Sequence, residues 1–160
     1  MKRILVISDT HRDTSRIEEV NRLAGPFDAA IHLGDCTEDA ERVSEKLGIA
    51  CVPVRGNCDS DYSVPDKTTV EYEGVKLLCV HGHRYRDAYL LSLEARQEQC
   101  KAALFGHTHT PCVKTDEIPY LINPGSLSRP RYGSDAGFCV LYIENGELFV
   151  KRFSLEQTSE

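Results

Sequence analysis

The sequence predicts an α/β domain in which mixed β-sheets are covered by helices. In the first half of the chain, apolar runs of strand length alternate with helical patterns, which is typical of a βαβαβ unit. The second half adds more strand-length runs around one helical pattern. Two alternating runs over 137–153 flank Asn145-Gly146, the dipeptide favoured in two-residue type I′ hairpins.

The elements can be assigned in order along the chain. The predicted strands cover 4–7, 29–33, 50–54, 70–72, 75–80, 102–105 and the hairpin at 137–153. The predicted helices begin near Ser15 and Thr37, and a third covers about 88–100. The first helix is expected to begin at a capping box, Ser15-Arg16-Ile17-Glu18, in which two side chains satisfy free backbone N–H groups. Gly25-Pro26 and Gly48 predict where the first two helices end.

The length of 160 residues fits a single domain over 1–160, large enough to bury about 70% of the surface of the unfolded chain. The longest apolar runs, such as 4–7 and 77–80, are far shorter than the roughly 20 residues that cross a bilayer. The apolar stretch that follows Lys2 and Arg3 ends at Ser8, too early for the core of a signal peptide. We therefore expect a cytoplasmic protein without a membrane partner.

Charge and cysteine usage argue against two further classes. The formal net charge of −6 disfavours an extended nucleic-acid surface, because such a surface needs clustered Lys and Arg. The seven cysteines are an odd number without a CxxC pair, so we expect reduced thiols and no disulfide scaffold. Cys79 and Cys139 lie within apolar strand patterns and are predicted core residues.

Side chains that can bind a metal ion follow five of the predicted strands. They are Asp9, Asp35, Asn57, His81 and His107. His11 and His109 lie two residues beyond the first and the last of them. Because ligand sites in open α/β sheets lie outside the carboxyl ends of the strands, these groups are expected to meet at one edge. Mixed oxygen and nitrogen donors suit Mn, Fe, Co, Ni or Zn better than calcium. Seven ligands are too many for one ion but suit two ions with a bridging carboxylate.

Each of these positions also has an ordinary structural interpretation. A single Asp or Asn after a strand is usually a turn former or a helix cap, and a single His is usually a hydrogen-bonded surface residue. The coincidence at five strand ends favours the shared site. His32 lies inside an apolar run and is predicted to be a packed core or interface residue rather than a ligand.

The motifs SDTH, GD, GNCD, HGH and GHTH, in that order, and the NPGS at 123–126 resemble the calcineurin-like metallophosphoesterase superfamily, in particular its small single-domain phosphodiesterase branch. The resemblance implies a four-layer α/β/β/α sandwich of two mixed sheets flanked by helices. It implies a phosphodiesterase that depends on two divalent transition-metal ions, with Mn ahead of Ni, Fe, Co and Zn. The expected reaction is in-line attack on phosphorus by a metal-bridging hydroxide, and the expected partner is a small phosphodiester substrate.

Carried over to this sequence, the resemblance implies that one ion is bound by Asp9, His11 and His109. It implies that the other is bound by Asn57, His81 and His107, and that Asp35 bridges the two. The expected catalytic residues are Asp35, Asn57, His81 and His83. His83 would either supply a proton to the leaving group or orient His81.

The chain departs from the most common family pattern at two positions. Cys58 stands where most of the superfamily has a His that acts on the leaving group, so that general acid is lost. Slow reaction with poor leaving groups is then expected, and phosphodiesters are the favoured substrate class. Asp59, which would orient that His, is then expected to be a surface or turn residue. Arg12 stands where Gly is common, and it either lines the entrance or points to solvent. Asn123 and 125–126 either form a turn or shape the phosphate pocket.

Two other functions remain open at this level. A subunit of the retromer coat has the same fold with a degraded metal site, so a non-catalytic interaction scaffold is the main alternative; the presence of all seven ligand types favours an enzyme. A nucleic-acid exonuclease fits less well, since the chain is short and has no basic face. The Arg, Pro and Tyr content of 126–133 suggests a contact in a homodimer or a higher homo-oligomer.

Overall fold

The computed structural model describes residues 1–131 and 133–156. The first five-stranded sheet has the order β10-β9-β1-β2-β3, formed by Glu147–Ser154, Gly137–Glu144, Lys2–Ile7, Ala29–His32 and Ala50–Pro53. The second has the order β4-β5-β6-β8-β7, formed by Lys67–Tyr72, Val75–Val80, Ala102–Leu104, Tyr120–Asn123 and Cys112–Lys114. In the described part of the chain, three helices accompany the sheets: α1 Ile17–Ala24, α2 Glu38–Leu47 and α3 Ala88–Gln97.

Both sheets are mixed, as the sequence predicts. Strands β1, β2 and β3 are parallel, and the antiparallel hairpin of β9 and β10 extends this sheet beside β1. Asn145 and Gly146 have φ of 51° and 78°, which are the left-handed values that a type I′ turn requires. In the second sheet β5, β6 and β8 are parallel, and β4 and β7 form antiparallel edges.

The alternation of side chains along the central strands creates the layers. Ile4 and Val6 of β1 lie in the core between the two sheets, together with Leu77 of β5. Their neighbours Leu5 and Ile7 lie in a separate core with α1 and α2, while residues of β5 and β6 pack against α3 in a third. Burying each of these large side chains contributes about 1.5–3 kcal/mol. The predicted α/β/β/α sandwich is confirmed, and Cys79 and Cys139 lie in the core between the sheets.

The predicted helix boundaries are partly correct. Gly25 follows α1, and Gly48 ends α2 in the left-handed conformation with φ 67°. The predicted capping box is wrong, because α1 begins after Arg16 without a side-chain cap and the Ser15 hydroxyl donates to Asp13 Oδ1 at 2.6 Å. The third helix ends at Gln97 and is capped at its start by Asp87, which accepts from the Leu90 N–H at 3.0 Å.

Two further expectations concern partners. None of the helices within 1–131 and 133–156 is long and apolar enough to span a bilayer. The segment 126–133, expected to contribute to a homo-oligomer contact, includes Tyr132, which lies outside the described residues.

Candidate metal centre

The loops after β1 and β2 bring two carboxylates together at one edge of the first sheet. The backbone N–H of Asp9 donates to Gly34 O at 3.1 Å, and that of His11 donates to Asp35 O at 3.3 Å. Asp9, His11 and Asp35 all have left-handed backbones, with φ of 54°, 48° and 59°. Each such residue costs on the order of 1–3 kcal/mol, and conformations of this kind cluster at functional sites.

The second sheet brings imidazoles to the same edge. His81 follows β5 and His107 follows β6, and the Gly106 N–H donates to His81 O at 2.8 Å. The His107 N–H donates to Asp9 Oδ2 at 3.1 Å, so the loops of the two sheets are joined at the site. A Cβ at position 106 would collide with the Ser8 hydroxyl. The close approach of the loop after β6 to the loop after β1 therefore requires glycine.

Four side chains form one half of the site: Asp9, His11, Asp35 and His109. One donor atom of each lies within 4.8 Å of all the others. His109 Nε2 lies 3.2 Å from Asp9 Oδ1 and 3.3 Å from His11 Nε2. Asp9, Asp35 and His109 are buried, so the charges of the two carboxylates are poorly screened by water.

The other half consists of Asn57, His81 and His107, which meet around the Asn57 amide oxygen. That oxygen lies 3.0 Å from His81 Nε2 and 3.1 Å from His107 Nδ1. Asp35 belongs to both halves, because its Oδ2 lies 3.8 Å from His11 Nε2 and 3.4 Å from His81 Nε2. The structure therefore brings all seven predicted ligand residues into one cluster with Asp35 in the middle.

Hydrogen bonds on the outer side of two rings decide which nitrogen faces the cluster. His81 Nδ1 donates to Leu33 O at 2.7 Å, and His109 Nδ1 donates to Arg129 O at 2.7 Å. A carbonyl can only accept, so in the neutral rings Nε2 keeps a lone pair that points inward. Outer hydrogen bonds of this kind are typical of metal-binding histidines.

The donor atoms fit a divalent cation. The lone pair of His109 Nε2 faces Asp9 Oδ1, a buried oxygen without a hydrogen-bond partner in the described part of the chain. Facing acceptors repel one another unless a cation lies between them. A proton can be shared by only two such atoms, whereas a transition-metal ion binds four or more oxygen and nitrogen donors. Four donor atoms lie together in this half of the site. The residues present therefore suit metal ions.

The negative charges of the site also act on its histidines. Burial alone would lower the pKa of His81, but the carboxylates of Asp35 and Asp9 raise it above its usual value. Burial would likewise raise the pKa of Asp35, yet the protonated form of His81, through its hydrogen bond and its charge, holds that pKa far below the usual range. The field at the centre of the cluster thus favours positive charge.

Asp59 supports the site through the backbone, which corrects its prediction as a surface or turn residue without a role. Its carboxylate accepts hydrogen bonds from the N–H groups of Gly56, Cys36, Asp35 and Thr37, at 2.7, 2.8, 2.9 and 3.0 Å. It therefore ties the loop that carries Asp35 to the loop that carries Asn57. The signal in the sequence is its place at the end of the GNCD motif.

A buried polar chain lies beneath the same loops. The Gly34 N–H donates to His32 Nδ1 at 3.2 Å, so His32 Nε2 carries the proton and donates to the Thr10 hydroxyl at 2.8 Å. Thr10 in turn donates to Asp39, and all three of these side chains are buried. The prediction that His32 is a packed core residue is confirmed, but its partners were not predicted.

A cleft of about 260 Å³ opens beside the first half of the site. Arg12 and Arg129 line it, and so do Cys58, Asp35 and His11. Arg12 was expected either to line the entrance of the site or to point to solvent, and its position at the cleft favours the first interpretation. Cys58 is exposed, and its backbone N–H donates to Asp35 Oδ1 at 3.1 Å.

The two remaining predicted residues have different positions. His83 lies outside the cluster, with its ring centroid 5.5 Å from that of His81 and 6.3 Å from that of His107. Asn123 is fully buried at the end of β8, where its amide donates to Gly106 O at 3.2 Å and accepts from the Gly125 N–H at 2.9 Å. Asn123 thus stabilises a turn, as the turn interpretation predicts, and does not line the cleft.

This donor set and fold can be compared with known proteins. The family model described as the calcineurin-like phosphoesterase superfamily domain matches residues 1–146. The chain belongs to this superfamily. The probable metallophosphoesterase MG207 of Mycoplasma genitalium is 31% identical over 156 residues, which cover 92% of this chain and 91% of that protein. The phosphodiesterase YfcE of Escherichia coli K12 is 27% identical over 165 residues, covering 88% of each chain. Membership and these names support a hydrolase that binds metal.

Solved structures of other proteins share the fold. A predicted phosphoesterase from Streptococcus pneumoniae TIGR4 superposes with a TM-score of 0.78 at 28% identity, covering 96% of this chain and 89% of that one. Vps29 of Entamoeba histolytica in complex with Zn²⁺ superposes with a TM-score of 0.74 at 20% identity, covering 95% and 98%. At 20% identity the second likeness concerns the fold alone.

Proposed function

We propose that this member of the superfamily is a phosphodiesterase that works with two divalent transition-metal ions, Mn ahead of Ni, Fe, Co and Zn. The observation that carries the proposal is the position of Asp35, whose Oδ2 lies between His11 Nε2 at 3.8 Å and His81 Nε2 at 3.4 Å. A carboxylate shared in this way suits a pair of ions. Asp9, His11 and His109 would hold one ion, and Asn57, His81 and His107 the other.

The side chains themselves prepare the site for a phosphate. Divalent ions, when bound, lower the pKa of a coordinated water and neutralise charge on phosphate oxygens. When the imidazoles are neutral, Asp9 and Asp35 are the only charged side chains among the seven proposed ligands. The formal charge of the ligand set is then −2. The outer hydrogen bonds to Leu33 O and Arg129 O fix the rings of His81 and His109 before substrate arrives. Such preorganised polar groups avoid reorganisation during the reaction.

The substrate is proposed to be a small phosphodiester. At the position where an imidazole would protonate the departing oxygen, the chain has the thiol of Cys58. The ring of His83 lies 5.5 Å from that of His81 and 6.3 Å from that of His107. Because the outer nitrogen of His81 is bonded to Leu33 O, His83 is not needed to orient His81. We therefore assign to His83 the transfer of a proton to the leaving group, a role that gives general acids about 10²–10⁴-fold in rate.

The test is to measure metal content and the hydrolysis of bis(p-nitrophenyl) phosphate beside p-nitrophenyl phosphate. The wild type with Mn²⁺ should hydrolyse the diester faster than the monoester. Asp35→Asn and His109→Ala should lose bound metal and turnover, whereas Asp116→Asn, which removes the same charge from an exposed loop, should keep both. Unchanged turnover in the first two variants would reject the proposal.

A non-catalytic interaction scaffold is the second candidate. It is favoured by the exposed apolar side chains of α3, where Tyr89, Leu90 and Leu93 are 68%, 38% and 39% exposed. A scaffold needs no ions beside Asp35. A purified protein that holds no transition metal and gains no activity with Mn²⁺ or Ni²⁺ would favour this candidate over the enzyme.

A further inference from the structure

We propose that Arg12 and Arg129 form a subsite for a second phosphate group, so that the preferred substrate is a phosphodiester that carries another phosphate on one of its arms. This inference rests on the proposed function and specifies its substrate class. The observation behind it is that both arginines line the cleft of about 260 Å³ that also contains His11 and Asp35 of the metal centre.

The two arginines are tied to the proposed metal ligands by their own backbones. Arg12 directly follows His11, and its N–H donates to Asp39 Oδ2 at 2.9 Å. Arg129 accepts through its carbonyl from His109 Nδ1 at 2.7 Å. The backbones of both arginines are therefore fixed beside the half of the centre that contains His11 and His109.

The loops that carry the two arginines are also bonded to each other. The Ser126 hydroxyl donates to Asp9 O at 2.8 Å and accepts from the Arg129 N–H at 2.7 Å. The Ser128 hydroxyl donates to Thr10 O at 2.7 Å. These bonds hold the backbones of the two loops on one framework, from which the exposed side chains of Arg12 and Arg129 extend into the cleft.

Besides the two arginines, the carboxylates of Asp35, Glu38 and Asp59 line the cleft. Within the described residues, neither guanidinium lies within 4 Å of a carboxylate. The Asp59 carboxylate at the cleft is occupied by four backbone N–H groups. The three carboxylates of the lining outweigh the two arginines, so the cleft becomes a local site for anions when the proposed metal ions are bound beside Asp35.

The chemistry of the pair favours phosphate over a neutral group. Guanidinium is planar and always charged, and its forked N–H groups match the oxygens of a phosphate in two parallel hydrogen bonds. Two arginines can balance the two negative charges of a terminal phosphate. The cleft of about 260 Å³ is slightly smaller than the roughly 300–1,000 Å³ of typical ligand sites, which suits a small organic phosphate.

The test compares two chromogenic esters that differ only in the second phosphate. They are the p-nitrophenyl ester of thymidine phosphate and the same ester with a second phosphate on the sugar, and the nucleoside serves only as a carrier. Wild type with Mn²⁺ should have a kcat/KM at least about ten-fold higher for the second ester, because hydrogen bonds to charged groups contribute this much. Arg12→Ala/Arg129→Ala should abolish that preference and leave the first ester little changed.

Two further variants sharpen the comparison. Arg12→Lys/Arg129→Lys keeps the charge but not the fork, so it should restore part of the preference. Arg22→Ala, which removes an exposed arginine from α1, should keep the preference in full. A wild type without preference, or a preference that survives in the double alanine variant, would overturn the subsite.

Calorimetry separates the subsite from the reaction. Binding of the nucleoside bisphosphate and of the nucleoside monophosphate to the Mn²⁺-loaded protein should differ in the wild type and not in the double alanine variant. If neither ester is hydrolysed, the proposed function fails, and the calorimetry then decides the subsite alone. Equal binding of the two nucleotides by the wild type would reject it.

Discussion

Oδ2 of Asp35 lies 3.4 Å from Nε2 of His81, across the boundary between the two sheets. Asp35 follows β2 of the first sheet and His81 follows β5 of the second. The pair can meet only if the two sheets pack with their carboxyl edges aligned, through the core that contains Ile4 and Leu77. The geometry of the site therefore depends on how the two sheets pack against each other.

Replacing the shared carboxylate should uncouple the two halves of the site. Asp35→Asn keeps the size of the side chain but removes its charge, so metal binding should weaken and turnover should fall by at least about 10²-fold. At a concentration of Mn²⁺ one hundred times its Kd, the wild type should gain about 2.7 kcal/mol of unfolding free energy. Thermal unfolding with and without Mn²⁺ measures this gain, which should be smaller in Asp35→Asn and normal in Asp116→Asn.

Removing the charge of Asp59 should loosen both loops that it joins. In Asp59→Asn one oxygen must serve four backbone N–H groups, so unfolding free energy should fall by about 1–3 kcal/mol and metal affinity by about 10–100-fold. Denaturant unfolding and metal titration measure the two effects. Asp61→Asn is the matched control, because the Asp61 carboxylate bonds only Ser63 in the described structure. Equal behaviour of the two variants would contradict the assigned role.

Adding a methyl group at Gly106 should displace the loop that carries His107. The new Cβ would collide with the Ser8 hydroxyl and lie 2.7 Å from Asp9 Oδ2, so Gly106→Ala should cost roughly 1–3 kcal/mol and reduce metal binding. Gly146→Ala is the control, since a Cβ there has open space around it and meets only the strain of its left-handed backbone, about 1–2 kcal/mol. If Gly106→Ala binds metal as tightly as the wild type, the site does not depend on the close packing of Gly106 against Ser8 and Asp9.

The core of the first sheet can be tested apart from the site. Phe138 is fully buried and stacks on Phe153, with ring centroids 5.1 Å apart. Phe138→Ala should lower the free energy of unfolding by about 3–5 kcal/mol. Phe149→Ala, at a side chain that is 67% exposed, should change it by no more than about 0.5 kcal/mol. Urea denaturation of both variants gives the comparison.

The fold and the candidate site differ in how far the sequence predicts them. Strands such as β1 and β5 end where an apolar run meets Asp or His, so the positions that now cluster are visible as breaks in hydrophobicity. The predicted strands did not include β7 and β8. β7 is an edge strand of three residues in which Val113 and Lys114 are exposed, and β8 has only three apolar residues before Asn123. The capping box failed because Asp13 competes for the Ser15 hydroxyl.

The supporting contacts could not be predicted because they depend on tertiary packing. Asp59 bonds backbone groups of residues up to 24 positions away, and backbone N–H groups leave no mark in the sequence. The chain from His32 through Thr10 to Asp39 likewise joins three separate segments. A polar residue in an apolar run predicts burial, but it does not name the partner that satisfies it.

The most direct test is an anomalous-scattering map of crystals grown with Mn²⁺. We predict two ions at a separation of about 3.5–4 Å, one beside Asp9, His11 and His109, the other beside Asn57, His81 and His107, both in contact with Asp35. A map with no ion, or with a single ion that does not touch Asp35, would contradict the proposed dinuclear centre.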